Sequence, residues 1–189
     1  MKKITIVASL LALSATTFAQ TWSVDKAHSR LSYGVTHLGI SESEGNFKTF
    51  DAKITSSKED LSDAVIEVTA DVASINTDNE MRDKHLKSAD FFDAEKFPTL
   101  TFKSTSFKKA SGKNYTVKGD LTLHGVTKPV TLNAVFNGTT TNPMSKKTEA
   151  GFKFTGTIKR SDFGIATAMP ATMLGDEVTI TGNGEFVKE

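Results

Sequence analysis

Arg82, Asp83 and His85 place a permanent cation, a carboxylate and a titratable imidazole within one helical turn, just ahead of Phe91 and Phe92. Two readings fit that grouping. One is an exposed ion pair that supports a helix and adds little stability. The other is a polar contact for the head of an amphiphilic ligand whose apolar part meets the phenylalanines. The remaining chemistry is sparse. The four histidines, His28, His37, His85 and His124, form no His-x-His or His-Glu-x-x-His spacing, so no metal site is expected. His37 follows Leu31, Tyr33 and Val35 at alternate positions and reads as inward-facing, either a hydrogen-bonded core group or a ligand contact. His124 precedes Gly125 and reads as a turn residue, while Glu59-Asp60 and Asp176-Glu177 read as solvated charge. There is no Gly-x-Ser-x-Gly elbow, phosphate loop or dinucleotide fingerprint. With no cysteine, the chain has no disulfide, thiolate ligand or thiol nucleophile. Neither a catalytic residue nor a cofactor is expected, although a triad assembled in space would leave no such mark.

The elements that must carry these residues are mostly strands. Ala64, Ile66, Val68, Ala70 and Val72 alternate with Glu67, Thr69 and Asp71, the period of a half-buried strand. Tyr115, Val117, Gly119, Leu121 and Leu123 follow the same rule, as do Val130, Leu132, Ala134 and Phe136. Eight strands are expected, over residues 29–38, 45–56, 63–74, 99–110, 114–124, 127–138, 148–160 and 176–187. Short Gly-bearing connections at 111–113 and 124–126 favour antiparallel neighbours. Eight such strands fit a closed barrel or a two-sheet sandwich. One helix interrupts them. Thr77 and Glu80 stand in capping-box spacing, acidic residues precede Lys84 and Lys87 as the helix dipole favours, and residues 79–89 are expected to be helical.

Ala70, Ala134 and glycines 119, 156, 182 and 184 fall in phase with the inward sets. Small residues gathered at one level would leave a void able to hold a ligand; alternatively, glycines mark the bends a barrel needs. Thirteen phenylalanines against one tryptophan and two tyrosines raise the same choice. Those in connections, Phe91, Phe92, Phe97 and Phe163, must be covered by the barrel itself or by a bound hydrophobe.

Lys2 and Lys3, the apolar run 4–13 and Thr17-Phe18-Ala19 have the layout of a secretory signal, so residues 1–19 are expected to be a cleaved leader and 20–189 one domain. In a bacterial source the destination is the periplasm or beyond. The run is shorter than the roughly 20 residues that span a bilayer, so no integral membrane segment is expected. Loss of the two lysines turns the formal charge of +1 to −1, which argues against nonspecific nucleic-acid binding.

Ordered blocks resemble the YceI-like family of exported polyisoprenoid-binding proteins. They run His28-Ser29 through His37-Leu38, Gly45-Asn46-Phe47, residues 73–77, Met81-Arg82-Asp83-Lys84-His85-Leu86 through Phe91-Phe92-Asp93, and residues 97–102. Residues 119–128, centred on Leu123-His124-Gly125, and Arg160-Ser161-Asp162-Phe163-Gly164 complete the match. Tyr33 stands where the family pattern would have Phe, adding a hydroxyl to the inner face. The resemblance implies an all-β, eight-stranded antiparallel lipocalin-like barrel with a short helical insertion, enclosing an isoprenoid chain of quinone or polyprenyl-phosphate type, and it transfers no catalytic residues. The expected tail contacts are Tyr33, Ile66, Val68, Phe91, Phe92, Phe97, Phe102, Leu121, Phe136, Phe154 and Phe163; the expected head-group contacts are Arg82, Asp83 and His85. The competing reading is a stress-response or protein-interaction module with a packed barrel. A homodimer is one option, and the sequence does not reveal the oligomeric state.

Overall fold

A computed structural model describes residues 19–189, so the expected leader lies outside the described residues apart from Ala19. The described residues follow eight antiparallel paths, three of them broken. Gln20–Val24 (β1) and Arg30–His37 (β2) form the first, Ser41–Phe47 (β3) and Phe50–Ser56 (β4) the second, Val65–Asp71 (β5) and Ile75–Asn76 (β6) the third. Thr99–Ser111 (β7), Asn114–Leu123 (β8), Val126–Thr141 (β9), Thr148–Lys159 (β10) and Leu174–Lys188 (β11) are continuous. Each path pairs with the next, and β11 pairs with both β1 and β2, closing an eight-stranded barrel.

The breaks are where the sequence reading differs. β1 and β2 lie in tandem along one edge of β11, with Val24 opposite Phe186 and Arg30 opposite Asn183. The intervening residues form a polar turn. The Asp25 carboxylate accepts from the Ala27 amide at 2.9 Å, and the Glu185 amide donates to the Ser29 hydroxyl at 3.0 Å. This turn interrupts the alternation, which is why β1 is missing from the expected strands. The path expected at 45–56 begins four residues earlier and breaks at Lys48-Thr49.

The helix spans Glu80–Lys87 (α1), shorter than expected. Asn79, not Thr77, caps it, accepting from the Arg82 amide at 2.9 Å. Asp78 sits at a φ of 57°, turning the chain so that Thr77 falls outside the helix. At the other end the Ser88 hydroxyl donates to the His85 carbonyl at 2.7 Å and the helix stops. No helix among the described residues is long and apolar enough to cross a membrane.

Register places the connections 38–40, 77–98, 124–125 and 160–173 at one end of the barrel, and 57–64, 112–113 and 142–147 at the other. The second end is packed. Phe152, 1% exposed, stacks on Phe136 at 4.8 Å and on Phe154 at 5.6 Å and meets Phe107 and Phe186 edge-on. Buried Trp22, Ile54, Tyr115 and Val117 complete that core. Of the two readings of the inward glycines, a void does not hold at Gly119 and Gly156. A methyl at Gly119 would run into the Phe102 ring, and one at Gly156 into a Leu132 methyl. Large neighbours lean over these positions and fill them; of the small residues singled out, Gly182 alone lines the cavity.

Candidate functional site

The first end is hollow. The insertion after β6 leaves the barrel wall between β6 and β7, and its residues pack across the gap: Leu86 from α1, then Phe91 and Phe92. The insertion is anchored where the Val72 amide donates to the Pro98 carbonyl at 2.9 Å. Beneath it lies a partly open apolar cavity of about 210 Å³, larger than the roughly 150 Å³ apolar cavity that admits a benzene-sized guest.

Eight of the expected tail contacts line this cavity: Tyr33, Ile66, Val68, Phe91, Phe92, Phe102, Leu121 and Phe154. Three lie elsewhere. Phe136 is two residues nearer the packed end than Ala134 and stacks on Phe152. Phe97 packs edge-on against the His124 ring at 4.6 Å, beside Gly125. Phe163 is 1% exposed in the core, in a 3₁₀ turn, and its carbonyl accepts from His124 Nδ1 at 3.0 Å. A carbonyl only accepts, so Nδ1 carries the proton, and His124 ties this turn to the one it occupies between β8 and β9. His37 is exposed at the end of β2, outside the lining, because the strand ends there in the 38–40 turn. Val130, Leu132, Val178 and Ile180 also line the volume. Their alternation was legible, but nothing in it distinguishes the hollow end from the packed one.

The three polar residues of the insertion separate. Arg82 reaches the cavity wall; Asp83 and His85 are not part of it. Asp83 Oδ1 accepts from the Thr77 amide at 2.8 Å and from its hydroxyl at 2.6 Å. Thr77 Oγ1 in turn accepts from Arg82 Nε at 2.8 Å, and the Thr77 carbonyl accepts from Arg82 Nη2 at 2.8 Å. His85 is turned outward, its ring edge-on to Phe91 at 4.8 Å and Nε2 3.7 Å from Asp90. Tyr33 presents its ring to Phe47 at 6.1 Å, and its phenol is pushed up to about 12, chiefly by burial and then by the charge of Asp83.

A second arginine in the lining, at the head of the matched block 160–164, is not among the expected contacts. Arg160 is 5% exposed, and its N–H groups donate to the carbonyls of Ile165, Ala166, Met169, Leu174 and Gly175. A buried cation normally needs compensation; five carbonyl dipoles supply it and wrap 165–175 around the side chain as one border of the cavity. No histidine or carboxylate lines the volume among the described residues, so no acid and base face a guest there. One grouping of metal-type donors, Asp25, His28 and Glu185, is outside the lining. There His28 Nδ1 bonds Asp25 at 2.8 Å, a contact that belongs to the β1–β2 turn. The arrangement suits retention of an apolar chain, with two arginines at the wall, of which Arg160 is fully committed to carbonyls.

Residues 22–186 match the YceI-like domain family. The protein named Protein YceI from Salmonella arizonae is 39% identical over 180 residues, covering 94% of this chain and 93% of its own. The crystal structure of Burkholderia cenocepacia BcnA superposes with a TM-score of 0.78 at 28% identity, over 86% of this chain and 98% of that one. A polyisoprenoid binding domain from Saccharophagus degradans shares the fold at a TM-score of 0.65 and 15% identity, over 89% and 98% of the two chains.

Proposed function

Because the chain belongs to the family of YceI-like domains, we propose that it is a non-catalytic binding protein, a carrier or store, for a long-chain isoprenoid lipid of quinone or polyprenyl-phosphate type. The observation that carries this reading is the apolar cavity under the helical insertion, walled by Val68, Phe91, Phe92, Leu121 and Phe154. The polyisoprenoid binding described for the Saccharophagus degradans domain is in keeping with it. The expected leader would carry the protein out of the cytoplasm, where a water-insoluble lipid needs an escort between membranes.

The energetics favour such a guest. Burial is worth about 0.8 kcal/mol per CH₂, so each five-carbon isoprene unit offers roughly 3–4 kcal/mol of gross transfer energy. Ordering the tail and losing its translational freedom offset much of that sum. Selection therefore acts first on the length and shape of the tail. Native mass spectrometry of protein purified without detergent tests the proposal: a retained prenyl lipid, or uptake of an added one, is expected. Protein that is always empty and takes up no added prenyl lipid overturns it.

A further inference from the structure

Arg82 is unlike the other cation in the cavity wall. All the donor nitrogens of Arg160 are committed to carbonyls, whereas Arg82 spends only Nε and Nη2 on Thr77. Arg82 is exposed, and among the described residues its Nη1 has no hydrogen-bond partner and its guanidinium no ion pair, so that edge is open to solvent. The nearby carboxylate of Asp83 is turned to Thr77. Thr77 is itself buried, 7% exposed, and cannot swing away without stranding polar groups. Asp83 thus holds Thr77, and Thr77 holds one edge of the guanidinium. The opposite edge, between Nη1 and Nη2, is left with parallel N–H donors, the fork that grips a carboxylate or phosphate through two bonds. Tyr33 stands on the same wall, and its hydroxyl makes no hydrogen bond among the described residues.

We propose that the free edge of Arg82 is an oxyanion anchor, so that this barrel prefers single-chain amphiphiles ending in a phosphate or carboxylate over neutral chains of the same length. Thr77 and Asp83 are positioning residues that act through Arg82, and the Tyr33 hydroxyl is a second, uncharged donor to the same head. The proposal rests on the cavity reading above and narrows it from isoprenoids of either type to those with an anionic oxygen head.

Two matched pairs of probes test it: farnesyl phosphate against farnesol, and palmitate against hexadecanol, each titrated into delipidated full-length mature protein. A head held by two charge-assisted bonds should favour the anion by about tenfold or more in at least one pair, and the pair that shows it identifies phosphate or carboxylate as the head. Arg82→Gln should bring that ratio close to one. Thr77→Val should lower the ratio part of the way and Thr77→Ser restore it, a pattern that a purely structural role for Thr77 does not produce. Tyr33→Phe should lower it least. Should Arg82→Gln fail to fold, the wild-type ratios decide alone. Equal binding within both pairs overturns the anchor but leaves the cavity reading standing; binding of none of the four overturns the cavity reading itself.

Discussion

The two ends of this barrel are built from the same strands and the same alternation, yet one is filled and the other is not. On β10, Phe152 is surrounded by four aromatic rings, while Phe154, two residues on and on the same face, borders the cavity. The difference comes from what crosses the end. At the packed end β1 supplies Trp22 and completes pairing with β4 and β11. At the hollow end β6 is only two residues long, and the wall is made up by an insertion whose helix buries no residue fully. A strand fills the space beside it at fixed spacing, whereas an insertion with its own turn geometry bridges the gap and leaves volume beneath. Stability and capacity are thereby assigned to opposite ends of one barrel.

The sharpest way to break that division is to remove bulk from each end. Phe152→Ala should cost about 3–5 kcal/mol, because close-packed rings cannot collapse into the space. Leu121→Ala, at a cavity wall, should cost about 2–3 kcal/mol, the low end for such truncations, since it enlarges an existing void rather than creating one. Urea unfolding measures both. Equal losses, or a larger loss at Leu121, would mean that the two ends are equally packed in solution.

How much of this contrast the sequence disclosed depends on which residues are asked. Alternation in residues 64–72 and 115–123 marks the strands and their inward faces, because burial on one side imposes a period of two. Phe91 and Phe92 are recognisable as needing cover because they leave the strand rhythm. The breaks after Val24 and Phe47 are hidden, since the paired runs on either side are too short to show a period. The void is harder still. Gly119 and Gly156 suggested it, but cross-strand neighbours occupy their space, and a single sequence does not say toward which glycine a ring will lean. Arg160 resembles any strand-end cation until the loop that folds around it is seen, and Thr77 resembles a helix cap until Asp78 turns the chain.

A smaller effect on stability separates the ends by function. Phe154→Trp adds volume into the cavity rather than into the packed rings. Its unfolding free energy should therefore stay within about 1.5 kcal/mol of wild type, while the uptake of added prenyl lipid falls. Phe102→Trp is the companion: Phe102 lies over Gly119 on one side and lines the cavity on the other, so both stability and uptake should drop. Lipid titration by tryptophan fluorescence and a parallel urea melt distinguish the two patterns. Unchanged uptake in Phe154→Trp would remove Phe154 from the proposed tail site.

The gentlest probe is pH, because the two most strongly shifted groups, Asp63 and Tyr33, sit at opposite ends and are shifted in opposite senses. Near the packed end the Asp63 carboxylate accepts from the Ser56 and Ser57 hydroxyls and from the Ser57 amide at 3.1 Å, and these bonds hold it well below the usual carboxylate range. That contribution is present above the unfolded-state value of about 3.9 and is lost as pH falls below it. At the hollow end the Tyr33 phenol, raised to about 12, favours the folded state in its neutral form. Its contribution is complete below pH about 10 and is lost as pH climbs from there toward 12, where the unfolded chain ionises first. Urea midpoints followed across pH should decline on both sides, with Asp63→Asn flattening only the acid limb and Tyr33→Phe only the alkaline one. An alkaline limb that survives Tyr33→Phe would show that the phenol is wet in solution, and it would move the closed boundary of the cavity away from β2.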